Sequence, residues 1–159
     1  MSDTPALAQP RLRIFAGPNG SGKSTIHERL RPEWIGAYIN ADDMEKALRQ
    51  TGTLDLNTFG LPAEPQALQQ RLRDHLAGSN LLRKHSLEGV ASSVTVTADS
   101  VLHLPPDCIN SYIAAVLADA IRRELLAQGS TFTFETVMSS PDKIDFMHKA
   151  QARGYRTYL

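Results

Sequence analysis

The chain has 159 residues, enough for one compact domain with a sizeable core. Seventeen basic side chains balance seventeen acidic ones, so broad, sequence-independent nucleic-acid binding, which needs a basic excess, has no support. Cys108 is the single cysteine, which excludes an intrachain disulfide, and no stretch is apolar for long enough to cross a bilayer. A cytoplasmic protein without nucleic-acid or membrane partners is the expectation.

Met1 to Pro10 mixes polar residues with two prolines and reads as a flexible lead-in, without the basic and apolar runs of a secretory signal. Arg11 to Ala16 reads as a short buried strand, closed by the turn residues Gly17, Pro18, Asn19 and Gly20. A helix is expected from about Gly22 through Ile26 and Leu30, ending before Pro32. Ala37 to Asn40 is a second strand. Asn40 then caps a helix whose apolar side is Met44, Ala47 and Leu48, with Asp43 as the reciprocal capping carboxylate.

Thr51 to Pro65, with its glycines and prolines among polar residues, reads as a loop. Leu68, Leu72 and Leu76 recur at helical spacing until Gly78. Ser86 to Pro106 fits two patterns: Val94 and Val96 alternate as in a strand, while Val90, Val94 and Val101 also fit a helix. Asp107 to Gln128 carries the longest helical stripe and stops at Gly129. Thr131 to Val137 gives a strong strand pattern. Ser140 and Pro141 are suitable N-cap and first-turn residues for a helix reaching Gly154, and Tyr155 to Leu159 opens a further strand.

The order is strand, glycine-rich loop, helix, strand, helix, an inserted region over 51–128, then strand, helix, strand. It predicts an α/β P-loop NTPase fold over 11–159, a parallel sheet with helices on both faces and a mostly helical insertion. Ligands of such sheets bind beyond the carboxyl ends of the strands.

The segment Gly17, Pro18, Asn19, Gly20, Ser21, Gly22, Lys23, Ser24 matches the pattern G-x-x-x-x-G-K-[ST] between a strand and a helix. Glycines let the backbone close around phosphate oxygens, and the loop and helix amides point at the anion. ATP or GTP with Mg²⁺ is the implied ligand: Lys23 bridges the β- and γ-phosphates, Ser24 holds the metal, and Thr25 reaches the α-phosphate.

Phosphoryl transfer also needs a group to orient the attacking hydroxyl and take its proton. Asp42 and Asp43 follow the second strand. Asp42 would lie in the first helical turn, where the dipole keeps it ionised, and is the candidate general base; the bland reading is that both aspartates only stabilise the helix start. Glu135, followed by Thr136, lies inside an apolar strand, and a carboxylate there is costly without a ligand or partner. An ion pair is its alternative reading. His27, His75, His85, His103 and His148 share no metal-ligand spacing with one another or with Cys108, so no zinc site is expected. Arg71 to Lys84 reads as a solvated basic helix face, with Lys143, Lys149 and Arg153 on the exposed side of theirs.

The runs IFAGPNGSGKSTI, YINADDM and FTFETVMSSPDKIDFMHKAQARGYRTYL together resemble the zeta-toxin family of P-loop kinases, over about the first fifty and the last thirty residues. The middle segment carries no such likeness. The resemblance implies transfer of the γ-phosphate of ATP to a sugar hydroxyl of a nucleotide sugar such as UDP-N-acetylglucosamine, and an antitoxin protein as partner. It implies Lys23 and Ser24 for ATP and Mg²⁺, Asp42 as base, and Glu135 with Thr136 for the acceptor. Family members carry lid arginines further along than this chain extends. Arg153 and Arg156 are not assigned to that lid, which leaves three readings open: the domain is incomplete at its C-terminus, another chain supplies the missing part, or the protein binds ATP with little transfer. The alternatives are a kinase for another small metabolite, a nucleotide-binding module with little transfer, and an ATPase, for which an aliphatic strand ending in aspartate is missing.

Overall fold

The computed structural model describes residues 9–17, 23–61, 64–136 and 141–159, with Lys23 and Ser24 described by their backbone alone. In chain order, β1 (Arg11–Ala16) leads to α1 (Lys23–Arg29), α2 (Pro32–Ile35), β2 (Ala37–Ile39) and α3 (Ala41–Thr51). The insertion follows with β3 (Thr53–Asp55), α4 (Pro65–Ala77), α5 (Asn80–Lys84), β4 (Thr95–Val96), β5 (Val101–His103) and α6 (Ser111–Gln128). β6 (Phe132–Thr136), α7 (Asp142–Ala152) and β7 (Arg156–Tyr158) complete the chain.

Four strands form a parallel sheet in the order β2-β6-β1-β7. β6 lies between β2 and β1, with Phe134 beside both Ile14 and Ile39. The long insertion therefore separates strands that touch in space. Parallel neighbours need such crossovers, because a tight turn cannot return the chain to the same end of the sheet.

Side chains alternate between the two faces of these strands. One face carries Leu12, Ile14, Ile39, Phe132 and Phe134, all at most 1% exposed. Phe146 of α7 meets Phe132 and Phe134 edge to face, and Arg122 of α6 lies over the Phe134 ring. The other face carries Arg13, Phe15, Tyr38, Thr133 and Glu135. Here α1 brings His27 onto the Tyr38 ring, with centroids 4.0 Å apart. The last turn of α2 supplies carbonyls: Thr133 Oγ1 donates to Ile35 O at 2.8 Å, and Arg13 Nη1 donates to Trp34 O. Helices thus cover both faces, as the strand and helix order predicts.

Several expectations change. Pro32, taken as a stop, opens the short helix α2, since proline suits a first helical turn. Gly36 closes α2 with φ +62°, and a Cβ there would come 2.1 Å from Thr131 O, so only glycine fits between α2 and β2. Thr51 to Pro65 is not all loop: it contains β3 and a 3-10 turn. Ser86 to Pro106 resolves as a 3-10 turn followed by β4 and β5. These strands form a separate antiparallel sheet, β3-β5-β4. Two or three residues per strand leave no readable period; the pairing of Leu54 with Leu102 across the insertion defines them. The long helix begins at Ser111, not Asp107, because Asn110 Oδ1 accepts from Ile113 N at 3.0 Å. Gly129 ends it with φ +77°, as its sequence position predicts. α7 starts at Asp142 after Pro141, and Ser140, its expected cap, lies outside the described residues.

Candidate functional site

The site gathers at the carboxyl ends of β1, β2 and β6. Gly17 follows β1 with φ +149°, a backbone conformation glycine adopts without strain. Its N–H donates to Thr136 O at 3.1 Å, which ties the start of the loop to the last residue of β6. Pro18, Asn19, Gly20, Ser21 and Gly22 lie outside the described residues. Lys23 and Ser24 are the first two residues of α1, and Thr25 follows as an exposed residue.

Across β6, the end of β2 carries the second group. Asn40 is the N-cap of α3: its Oδ1 accepts from the N–H of Asp42 at 2.9 Å and of Asp43 at 3.4 Å. Asp42 lies exposed in the first turn, as its motif position predicts. Among the described residues, no bond returns from the Asp43 carboxylate to the Asn40 N–H, so the cap is one-sided rather than the reciprocal box expected.

Asn40 uses its other end as well. Its Nδ2 donates to Glu135 Oε2. Ile39 pairs with Phe134, so Asn40 and Glu135 stand side by side one step further along the two strands. The second oxygen, Glu135 Oε1, is buried and has no hydrogen-bond partner among the described residues. An ion pair, the alternative role for this glutamate, is not formed with any described residue. Tyr38, two residues before Asn40, lies on the same face, near the same carboxylate. Burial first, then hydrogen bonding to Glu135 and its negative field, raise the Tyr38 pKa well above the usual phenol value. The hydroxyl therefore stays a donor.

The arginines at the C-terminal end of the chain are elsewhere. Arg156 begins β7 beside Arg11, at the amino edge of the sheet, and its Nε donates to Gln9 at 2.8 Å. Arg153 ends α7 just before that strand.

A second polar cluster lies on the opposite face. Asp119 of α6 accepts from His75 of α4 and from Arg122 and Arg123 of α6, all at 2.9 Å. Burial alone would raise the Asp119 pKa; the bond from His75, the positive field of Arg122 and the arginine bonds outweigh it and hold the carboxyl far below its usual value. A cleft of about 570 Å³ opens here, lined by His75, Asn80, Asp119, Arg122 and Lys143 among others. Arg122 also lies over the Phe134 ring, on the face of the sheet opposite Tyr38 and Glu135. The basic segment 71–84 is correspondingly not only a solvated face: Arg71 pairs with Glu124 at 2.8 Å, and Arg73 donates to Val94 O. Lys143, expected on the exposed side of its helix, is largely covered and pairs with Asp142.

Sequence reasoning singled out Asp42 and Glu135, which the structure places at the ends of neighbouring strands, but it did not single out Tyr38, His27 or the donor side of Asn40. Alternation along YIN would have placed Tyr38 and Asn40 on one face, but only the β2-β6 register brings them to Glu135. Compared with family models, with curated proteins and with solved structures, the chain matches none.

Proposed function

We propose that this chain is an ATP-dependent phosphotransferase, similar in type to zeta toxins, that moves the γ-phosphate to a hydroxyl of a small metabolite. The observation that carries the reading is the Asn40 bond to Glu135. It joins the acidic start of α3 to the end of β6, whose last residue in turn holds Gly17 at the entrance of the G-x-x-x-x-G-K-S loop.

In this reading the loop amides and Lys23 hold the phosphates and neutralise charge on the β- and γ-oxygens. The acceptor oxygen attacks the γ-phosphorus in line, the bond to the β,γ-bridging oxygen breaks, and the nucleoside diphosphate leaves. Asp42 takes the hydroxyl proton; its exposure in the first turn of α3 leaves it open to a diffusing acceptor, and the helix dipole keeps it ionised. Glu135 and Thr136 orient the acceptor. Mg²⁺ would be held by Ser24, with the unpaired Glu135 Oε1 a suitable acceptor for a metal-bound water; the ion would offset charge on the transferring phosphoryl group. A nucleotide sugar such as UDP-N-acetylglucosamine is the first acceptor to test, and an antitoxin remains a partner to seek.

A second reading is nucleotide binding with little transfer. It is favoured by Arg153 and Arg156 lying at the amino edge of the sheet, the end opposite Gly17, since arginine at the transferring phosphoryl group often supplies much of the rate. The deciding experiment incubates the chain with Mg-ATP and a panel of UDP-sugars and nucleosides, with products read by mass spectrometry. Phosphorylated product that disappears in Lys23→Ala and Asp42→Asn supports transfer. ATP binding without product on any acceptor supports the second reading.

A further inference from the structure

We propose that Asn40 is the positioning residue of this site, a single side-chain amide that sets both the start of α3 and the Glu135 carboxylate. Its catalytic consequence rests on the phosphotransferase reading; its structural content does not.

The orientation of the amide follows from its partners. Oδ1 faces the N–H groups of Asp42 and Asp43, and Nδ2 faces Glu135 Oε2. A flipped amide would set its NH₂ against two N–H donors and its oxygen against a carboxylate, so one arrangement satisfies every group. The residue type follows too. Serine, threonine and aspartate cap helices about as well as asparagine. Aspartate has no donor for Glu135, and the hydroxyl of serine is one bond shorter. Only asparagine presents an acceptor to α3 and a donor to β6 from a rigid planar group.

Glutamate otherwise has three rotatable side-chain bonds. Held by Asn40 at Oε2, with Tyr38 beside it and His27 tilted against the Tyr38 ring, Glu135 keeps Oε1 in one place. That oxygen is buried without a partner among the described residues. It is an acceptor waiting for a donor, which suits an acceptor hydroxyl or a metal-bound water. Because the same amide caps α3, Asp42 cannot move relative to Glu135 without breaking one of the three bonds.

Two measurements test this. Nuclear magnetic resonance of the free protein follows hydrogen exchange of the Asn40 side-chain NH₂. The expected result is exchange slowed about tenfold or more relative to exposed asparagine amides, and relieved in Glu135→Ala. Exchange at the exposed rate, or protection that persists in Glu135→Ala, overturns the proposal whether or not the chain transfers phosphate. The second measurement compares Asn40→Asp and Asn40→Ser with wild type for melting temperature, ATP KM and kcat. Asn40→Asp keeps the cap but places a carboxylate against Glu135. It is expected to lower the melting temperature, because two carboxylates then face each other, to keep its ATP KM and to lose roughly tenfold to hundredfold in kcat. A kcat equal to wild type in both variants also overturns it. Absence of transfer in wild type removes the phosphotransferase reading alone, and the exchange result then decides the role of Asn40.

Discussion

The two faces of the parallel sheet are made by the same strands yet do different work. On one, Leu12, Ile14, Ile39, Phe132 and Phe134 are sealed under α6 and α7 and make a packed apolar core. On the other, Arg13, Tyr38, Thr133 and Glu135 present polar groups, each answered by a neighbour: a helix-end carbonyl, a ring or a side-chain amide. A strand that alternates in this way lets a core ring and a polar carboxylate occupy adjacent residues, Phe134 and Glu135, because successive side chains point apart. The polar face is tolerable only because its groups are paired; the exception among the described residues, Glu135 Oε1, stands at the carboxyl edge, the side on which parallel α/β sheets generally bind ligands.

Substitutions at these two adjacent positions probe the comparison most directly. Phe134→Ala empties a fully buried ring site and removes the surface on which Arg122 rests, and is expected to cost about 3–5 kcal/mol in urea unfolding. Glu135→Gln is expected to do the reverse: stability falls by at most about 1 kcal/mol, while acceptor-dependent transfer falls roughly 10²–10³-fold. Equal loss of stability in the two variants would break the division between the faces.

The Asp119 cluster sharpens it from the apolar side. Asp119→Ala leaves Arg122, whose side chain is 7% exposed, without its carboxylate. The expected cost at neutral pH is about 3 kcal/mol, the low end for breaking a buried pair, because Asp119 itself is 26% exposed. The sign of the pH dependence follows from the lowered Asp119 pKa. The contribution is complete above the unfolded value near 3.9 and is lost as the pH falls through the much lower folded value. The gap between wild type and variant should therefore hold at neutral pH and close in strong acid; a gap that grows with acid would refute the assignment.

The smallest change, Gly36→Ala, forces a methyl group against Thr131 O at a left-handed backbone position. It is expected to cost about 1–3 kcal/mol, and to disturb the polar face through Ile35 O and its bond to Thr133. Thermal unfolding measures the cost, and a change below about 0.5 kcal/mol would show that the α2-β2 turn relaxes freely.

Local pattern made much of this readable. Arg11 to Ala16 and the strand from Thr131 showed short apolar runs bounded by turn residues, and Leu68, Leu72 and Leu76 kept a helical spacing that the structure buries completely. The Asn40 cap was legible from its type and position. What escaped was short or long-range: α2 spans four residues, β4 two, and the Leu54 to Leu102 pairing crosses most of the insertion. The same holds at the site. Glu135 stood out as a carboxylate in an apolar strand, but its partner did not, since 95 residues separate it from Asn40.

The sequence by itself determined the glycine-rich loop between a strand and a helix, the parallel α/β alternation, and which carboxylates fall at strand ends, because these depend on residue type and spacing within a few turns. The tertiary structure alone decided that β6 enters between β1 and β2, that Arg156 lies at the far edge, and that one asparagine links α3 to Glu135. Strand order and register are fixed by packing summed over the whole sheet, and no local segment carries that information.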